Sequence, residues 1–380
     1  MLRKKRFIYA DNAATTFPKP HEVLAEMLDL YETKGVSPGR GSYDLSVEAE
    51  DLVDRVRRQI CGFFGGGDPS RVIFCYNATD ALNLLIQGLI EPGCHVISSR
   101  LEHNSVLRPL HHFYQQGIIK LDLVPFDTQG FIDPDDVARA INPKTKFIIL
   151  THGSNVLGTI QPVQEIGAVC RAKSVPLILD VTQTAGMVPI DMAKWGISAI
   201  VFTGHKSLYG PTGIGGFVLS RDLDVRTTRF GGTGLDSKSL VHSQRYPQRL
   251  EAGTINMLGV IGLSAGIRYL EKKGLHSTYA HEMSLIHRLR DGLSSLQAVQ
   301  LYCARSLENH LPILLCNIKE MNPEQVSTIL DGDFDIATRA GLHCAPLVHQ
   351  DLGTSPEGGV RFSLGAFNTA ADIDIAVRAV

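Results

Sequence analysis

Two short apolar runs end on residues that could share one task. The run Pro176-Leu177-Ile178-Leu179 closes on Asp180, with Gln183 three residues on, and Ser198 to Thr203 runs into Gly204-His205-Lys206. Both have the length and composition of buried strands. Laid side by side, such strands aim a carboxylate and an amine at one crevice, with small and hydroxyl residues around the amine. A lysine can form a Schiff base with an aldehyde, and a carboxylate paired with a pyridinium nitrogen keeps that nitrogen protonated, so the ring accepts electrons. The pair therefore suits pyridoxal phosphate. Singly, neither residue is diagnostic, because an Asp after a strand often caps the next helix and a loop Lys is usually solvated. Asn77-Ala78-Thr79-Asp80 adds a third feature between a strand-like run and a helical pattern. Amides and the Thr79 hydroxyl at a helix N-terminus make a phosphate cradle.

The elements that must position these residues alternate along the chain. Strand-like runs fall at 71–76, 94–98, 119–124, 146–151, 176–180, 198–203 and 213–220, with helical patterns at 78–88 and 104–116, after Asp133-Pro134, and from Pro162 to about Lys173. Strands joined by crossover helices predict an α/β fold with a mostly parallel, doubly wound sheet. Beyond a helical run at 257–272 the pattern changes to strands at 298–303, 311–316, 335–338 and 359–364 mixed with helices at 277–296, 322–330 and 368–379. This predicts a smaller α+β body. The expected division is a large cofactor-binding domain over 18–258 and a small domain over 259–380, with segment 1–17 packing on the two-domain body.

Composition narrows the function. The 380 residues are 44% apolar and 20% charged, and 37 basic against 39 acidic residues leave a formal charge of −2. That balance gives no electrostatic footprint for nucleic acid. The basic start Arg3-Lys4-Lys5-Arg6 is followed by too short an apolar stretch for a signal peptide, and no run approaches the length of a membrane span. Seven scattered cysteines, none spaced C-x-x-C, read as free thiols in a reducing cytoplasm. His111-His112 has no ligand-spaced partner, so no metal site is expected. Gly213-Ile214-Gly215-Gly216 and Gly231-Gly232-Thr233-Gly234 read as turn and close-packing glycines, because neither follows a strand and opens a helix.

An ordered series of motifs carries a resemblance. Tyr9-Ala10-Asp11-Asn12-Ala13-Ala14-Thr15-Thr16, Glu102-His103, Ser154-Asn155-Val156-Leu157-Gly158, Asp180-x-x-Gln183, Thr203-Gly204-His205-Lys206, Glu251-Ala252-Gly253-Thr254, Arg339 to Ala345 and Arg361-Phe362-Ser363 follow one another from residue 9 to about 368. The chain resembles the cysteine desulfurase family of class V, fold-type I pyridoxal-phosphate enzymes, in its group II, selenocysteine-lyase-like branch. The resemblance implies that Lys206 holds the cofactor, Asp180 pairs its ring nitrogen, Gln183 meets its phenolic oxygen and His103 stacks on its ring. Ala78, Thr79, Thr203 and His205 would hold the phosphate, joined by Thr254 of a second subunit, so a homodimer is implied. Arg361 would grip the substrate carboxylate, with Asn155 and Asn12 beside it. Cys344 would take the sulfur of L-cysteine as a persulfide, releasing L-alanine, and pass it to a small acceptor protein or a low-molecular-weight thiol, for iron–sulfur cluster assembly or elsewhere. A free thiol near its reference pKa of about 8.5 is mostly protonated at neutral pH, and His103 or His343 could help ionise it.

Other readings remain beside this one. A selenocysteine lyase, or a class V aminotransferase or β-lyase with an incidental Cys344, would use the same cofactor; a non-catalytic cofactor-bound scaffold would have little reason to keep Lys206, Asp180, His103, Cys344 and Arg361 together. Cys61, Cys75, Cys94, Cys170, Cys303 and Cys316 sit in or beside apolar runs and read as small hydrophobes, whereas Cys344 lies in a Gly- and His-bearing loop. The sequence departs from familiar group II members at Asn104-Ser105, where a second His and an Ala are usual, at Val181-Thr182, and at Leu342. These departures bear on substrate preference and on the sulfur acceptor.

Overall fold

The computed structural model describes residues 7–39, 41, 43–234 and 238–380, so the basic start lies outside the described residues. The chain opens with strand β1 (Ile8–Tyr9) and helices α1 (His21–Lys34) and α2 (Asp44–Phe63). Strands and helices then alternate: β2 (Val72–Cys75), α3 (Ala78–Leu89), β3 (His95–Ser99), α4 (Asn104–Gln115), β4 (Lys120–Val124), α5 (Pro134–Ala140), β5 (Thr145–Thr151) and α6 (Val163–Ala172). They are followed by β6 (Leu177–Asp180), the one-turn α7 (Met192–Trp195), β7 (Ala199–Thr203), β8 (Gly215–Leu219) and α8 (Met257–Lys273).

The expected strands β2 to β8 form one seven-stranded sheet in the order β2-β8-β7-β6-β5-β3-β4. Only β8 runs against its neighbours. Because β2 and β7 are both antiparallel to β8, and the remaining pairs are parallel, six strands point the same way and end on one edge. The interior strands are apolar on both faces, as Phe147, Ile148, Ile149 and Leu150 in β5 illustrate by being wholly buried. Gly216 is a packing requirement in β8. A Cβ there would lie 2.2 Å from the Ile73 carbonyl oxygen of β2.

Helix starts follow the local chemistry. Asn77 Oδ1 accepts the Asp80 amide at 2.9 Å to open α3, and Asp133 caps α5 with Pro134 in its first turn. Helices α1 and α2 have no counterpart in the sequence-based expectation, although α2 buries Ala49, Leu52, Val53, Val56 and Ile60 at helical spacing. Helix α8 packs against both of them.

The rest of the chain supplies α9 (Leu275–Ser294), β9 (Val299–Tyr302), β10 (Ile313–Ile318), α10 (Pro323–Phe334), β11 (Ile336–Ala337), β12 (Arg339–Gly341), α11 (Pro346–Asp351), β13 (Gly359–Ser363) and α12 (Ala370–Ala379). An antiparallel sheet runs β12-β13-β10-β9, with α9 and α12 packed together beside it. The run expected at 335–338 does not join that sheet. As β11 it pairs in parallel with β1, and the following residues form the edge strand β12. The opening segment is laced to both sheets: Ser363 N donates to Ala10 O at 2.7 Å and Thr16 N to His205 O at 3.2 Å.

Candidate active site

The carboxyl edge of the large sheet gathers the expected chemistry, as open α/β sheets do. The turn after β2 brings Asn77, Ala78 and Thr79, the turn after β3 brings His103, β5 and β6 end on Thr151 and Asp180, and the loop after β7 carries His205 and Lys206. These residues line one cavity of about 280 Å³, closed on its other side by Arg339, His343, Cys344 and Arg361. Gln183, Asn155 and Thr203 line it too.

Lys206 sits among groups that disfavour its charge. Burial, and then the Arg361 guanidinium, push its pKa down to about 8, partly countered by Asp180. An amine so perturbed offers a useful neutral fraction near neutral pH. Its loop is fixed from behind, where the Thr15 hydroxyl (3.0 Å), the Thr16 amide and the Lys19 ammonium all donate to the His205 carbonyl. Asp180 is buried and burial raises its carboxyl pKa, while the Thr182 side chain and amide work in the other direction, the amide at 2.9 Å from Oδ1. Gln183 Nε2 donates to Ala13 O at 3.1 Å and keeps its second N–H.

His103 caps α4 with its imidazole. Nδ1 accepts the Ser105 amide at 3.0 Å, so the neutral ring carries its proton on Nε2. Burial lowers its pKa to about 4, with Lys206, Arg361 and Arg108 adding to the effect. Beside it lies buried Glu102, whose Oε1 accepts the Ser99 hydroxyl at 2.6 Å and the Thr151 amide at 2.9 Å, and whose pKa burial raises to about 8.

Cys344 stands in the four-residue connection from β12 to α11 and is exposed, whereas Cys61, Cys75, Cys94, Cys170 and Cys316 are buried and Cys303 is half-buried. The connection is tightly held. His343 and Cys344 both have left-handed backbones, with φ of 51° and 55°, a conformation non-glycine residues adopt only when their surroundings impose it. Here the Asn104 amide donates to Cys344 O at 2.7 Å and Asn155 Nδ2 to His343 O at 2.8 Å. The His343 ring is fully engaged: Nε2 donates to Arg339 O at 3.1 Å, and Nδ1 meets His349 Nε2 at 3.2 Å. Burial lowers its pKa to about 3. Of the two histidines considered for ionising Cys344, His343 has no free ring nitrogen, and His103 has Nε2.

Arg361 on β13 is buried and has spent two of its five N–H groups, on Asn155 O at 2.9 Å and on Asp11 Oδ1 at 2.8 Å. Nε has no partner. A planar fork with unspent donors at a cavity wall is suited to a carboxylate.

Two expected site residues lie elsewhere. Asn12 does not line the cavity: its Nδ2 donates to Ser363 O at 3.1 Å and Tyr9 O at 3.3 Å, so its amide secures the opening segment. Thr254 is exposed in a separate cavity of about 310 Å³, near Glu251, which makes a two-point ion pair with Arg57 at 2.8 and 2.7 Å. Sequence reasoning missed Ser105, Thr182, Arg339 and Asp11 as contributors. The departures at Asn104-Ser105 and Val181-Thr182 flagged the first two, and Asp11 and Arg339 stood inside quoted motifs without a role assigned to them.

The cavity fits pyridoxal phosphate. Among the described residues, buried Thr203 Oγ1, His205 Nδ1 and Arg361 Nε have no hydrogen-bond partner. Buried polar atoms are rarely left so, and these surround the amine, the carboxylate and the helix N-terminus that such a cofactor needs.

Comparison with known proteins gives the family and the fold. The aminotransferase class-V family model matches residues 8–375. A probable cysteine desulfurase of Methanothermobacter thermautotrophicus is 31% identical over 374 residues, covering 97% of this chain and 92% of the relative. The cysteine desulfurase of Serratia proteamaculans is 31% identical over 376 residues, covering 96% and 90%. Among solved structures, the apo cysteine desulfurase of Thermococcus onnurineus NA1 superposes with a TM-score of 0.92 at 31% identity, covering 98% of this chain and 93% of that one. The cysteine desulfurase CsdA of Escherichia coli gives 0.88 at 26% identity, with the same coverage. The fold is that of fold-type I pyridoxal-phosphate enzymes, and the chain belongs to the aminotransferase class-V family. The relatives and structural neighbours named here are cysteine desulfurases.

Proposed function

We propose that this chain is a pyridoxal-phosphate-dependent cysteine desulfurase that moves the sulfur of L-cysteine onto Cys344 and releases L-alanine. The observation that carries the reading is the meeting of Lys206, Asp180, His103, Arg361 and an exposed Cys344 around one cavity. The cofactor supplies an electron sink next to the substrate α-carbon. The chain's residues do the rest. Lys206 would hold the cofactor aldehyde, and its amine would move the proton at the substrate α-carbon. Asp180 would hold the ring nitrogen protonated, Gln183 would meet the phenolic oxygen, and His103 would cover the ring face. The first turn of α3, with Thr79, Thr203 and His205, holds the phosphate. Arg361 would fix the substrate carboxylate, and the Cys344 thiolate would take the substrate sulfur as the Cβ–S bond breaks, the electron pair of that bond staying with the carbon that becomes the alanine methyl group.

Thr254, exposed and outside its own chain's cavity, suits a homodimer in which it reaches the partner's phosphate. Cys344 also borders an open groove with Arg108 and His112, through which a sulfur acceptor can approach. We place the enzyme in the cytoplasm on its reduced thiols; no helix among the described residues is long and apolar enough to cross a membrane. The seven-stranded and four-stranded sheets suit a large cofactor-binding body over 18–258 and a smaller one over 259–380.

Titrating the apo-protein with pyridoxal 5′-phosphate tests the cofactor half of the reading. The wild type is expected to develop a near-ultraviolet to blue absorbance band that borohydride abolishes while fixing the cofactor covalently at Lys206, and the unreduced protein to form alanine from L-cysteine without a keto acid. A band that persists in Lys206→Ala, or alanine formation that requires a keto acid, would overturn it.

A further inference from the structure

We propose that Ser105 is a positioning residue that holds the His103 ring in one orientation and couples it to occupation of the phosphate cradle at Thr79. Ser105 Oγ lies 2.8 Å from His103 Nδ1 and 2.6 Å from Thr79 Oγ1, and the Ser105 amide also donates to Nδ1 at 3.0 Å. The Ser105 side chain is buried in the first turn of α4, at the cavity wall. One hydroxyl thus bridges the residue that would hold the phosphate and the residue that would cover the ring, across 26 positions of sequence. The inference rests on the reading of Thr79 as part of the cradle.

Proton counting gives the coupling its direction. Each hydroxyl owns one proton, and a neutral Nδ1 can only accept. In the empty cradle Thr79 donates to Ser105 and Ser105 donates to Nδ1, so Nδ1 has both an amide and a hydroxyl donor. A phosphate accepts only, so on loading Thr79 turns its proton to the phosphate. The two hydroxyl oxygens at 2.6 Å then need the Ser105 proton between them, and Nδ1 loses a donor. Loading therefore weakens the preference for neutral His103, and the phosphate charge acts in the same direction. Asp180, His205, Lys206, Arg339, His343, Cys344 and Arg361 share the cavity with the ring and Arg108 and His112 the groove outside it, and of these Lys206, Arg361 and Arg108 lower its pKa. All three oppose its protonation with or without Ser105, so they cancel when variants are compared.

The test is ¹⁵N imidazole NMR of His103 against pH, in apo-protein and in protein loaded with pyridoxal 5′-phosphate, for the wild type, Ser105→Ala and Ser105→Thr; the His103→Asn spectrum assigns the resonance. In the wild type the titration midpoint is expected to rise on loading. Ser105→Ala should raise the midpoint of the apo-protein and shrink the loading-induced rise, Ser105→Thr should restore both, and alanine formation by Ser105→Ala should fall about fivefold, the effect of one hydrogen bond. If loading moves the midpoint equally in wild type and Ser105→Ala, the coupling is wrong while the cofactor site stands. If the wild type shows no cofactor band, the site reading fails and the coupling fails with it.

Discussion

Arg339 and Arg361 stand directly opposite each other across the β12–β13 ladder and share one carboxylate, Asp11. Asp11 Oδ1 accepts from Arg361 at 2.8 Å and Oδ2 from Arg339 at 3.0 Å. Two guanidiniums against one carboxylate leave a net positive wall, which suits the carboxylate of an amino acid. The two pairs differ in burial: the Arg361 side chain is 3% exposed and that of Arg339 49%. Asp11→Asn, which strands a buried guanidinium, is expected to cost roughly 3 kcal/mol of unfolding free energy, whereas Arg339→Ala costs about 1 kcal/mol or less. Urea midpoints of the two variants check this. Equal losses would mean that the buried pair is not the stabilising one.

Arg361 itself is expected to act on substrate binding. Arg361→Lys keeps the charge but loses the planar fork, so KM for L-cysteine should rise about tenfold or more. Steady-state kinetics with the cofactor band unchanged separates this from a folding defect.

The lowered pKa of Lys206, about 8, fixes the pH dependence of cofactor uptake. Only the neutral amine attacks an aldehyde, so the rate at which apo-protein develops its absorbance band should climb with pH and level off near 8. A rate still climbing tenfold per unit above pH 9 would mean an amine with an ordinary pKa of about 10.4.

Stability should fall on mild acidification. Burial lowers the pKa of His152 and His343 to about 3 and that of His103, His205, His310 and His349 to about 4, so the unfolded chain takes up protons below about pH 6.5 while the folded chain does not. This stability is present above the unfolded value and is lost as pH falls toward the folded one. Glu102 and Glu282, raised by burial to about 8, work in the opposite direction because the folded chain already holds their protons. Six histidines against two carboxyls leave a net loss of up to about 5 kcal/mol per pH unit between about 6.5 and 4.5. Urea unfolding at a series of pH values measures it, and a flat profile would contradict the burial of these rings.

What was legible in the sequence follows physical lines. The strands of the large sheet are short apolar runs buried on both faces, and their ends carry Asp180 and Lys206, so element and site were read together. Helices α1 and α2 were not read because charged residues crowd the apolar positions of α2 and α1 buries only Val23 and Met27. Strand β12 is three residues long, too short for any period to register. The contacts that tune the site were hidden for another reason. Asp11 with Arg361, and Ser105 with Thr79, meet only through the fold, and nothing local to any of the four announces the partner. Asn12 has a side chain suited to substrate, yet its amide is bound to backbone, which residue type alone does not reveal.

The central claim is that sulfur passes to Cys344. Intact-protein mass after incubation with L-cysteine, with alanine measured in the same samples, tests it most directly on the cofactor-loaded wild type and Cys344→Ala. The wild type is expected to gain the mass of one sulfur atom, reversed by dithiothreitol, and to make alanine, while Cys344→Ala keeps the cofactor band and does neither. Alanine formation undiminished in Cys344→Ala, or an added sulfur that survives the substitution, would contradict the account.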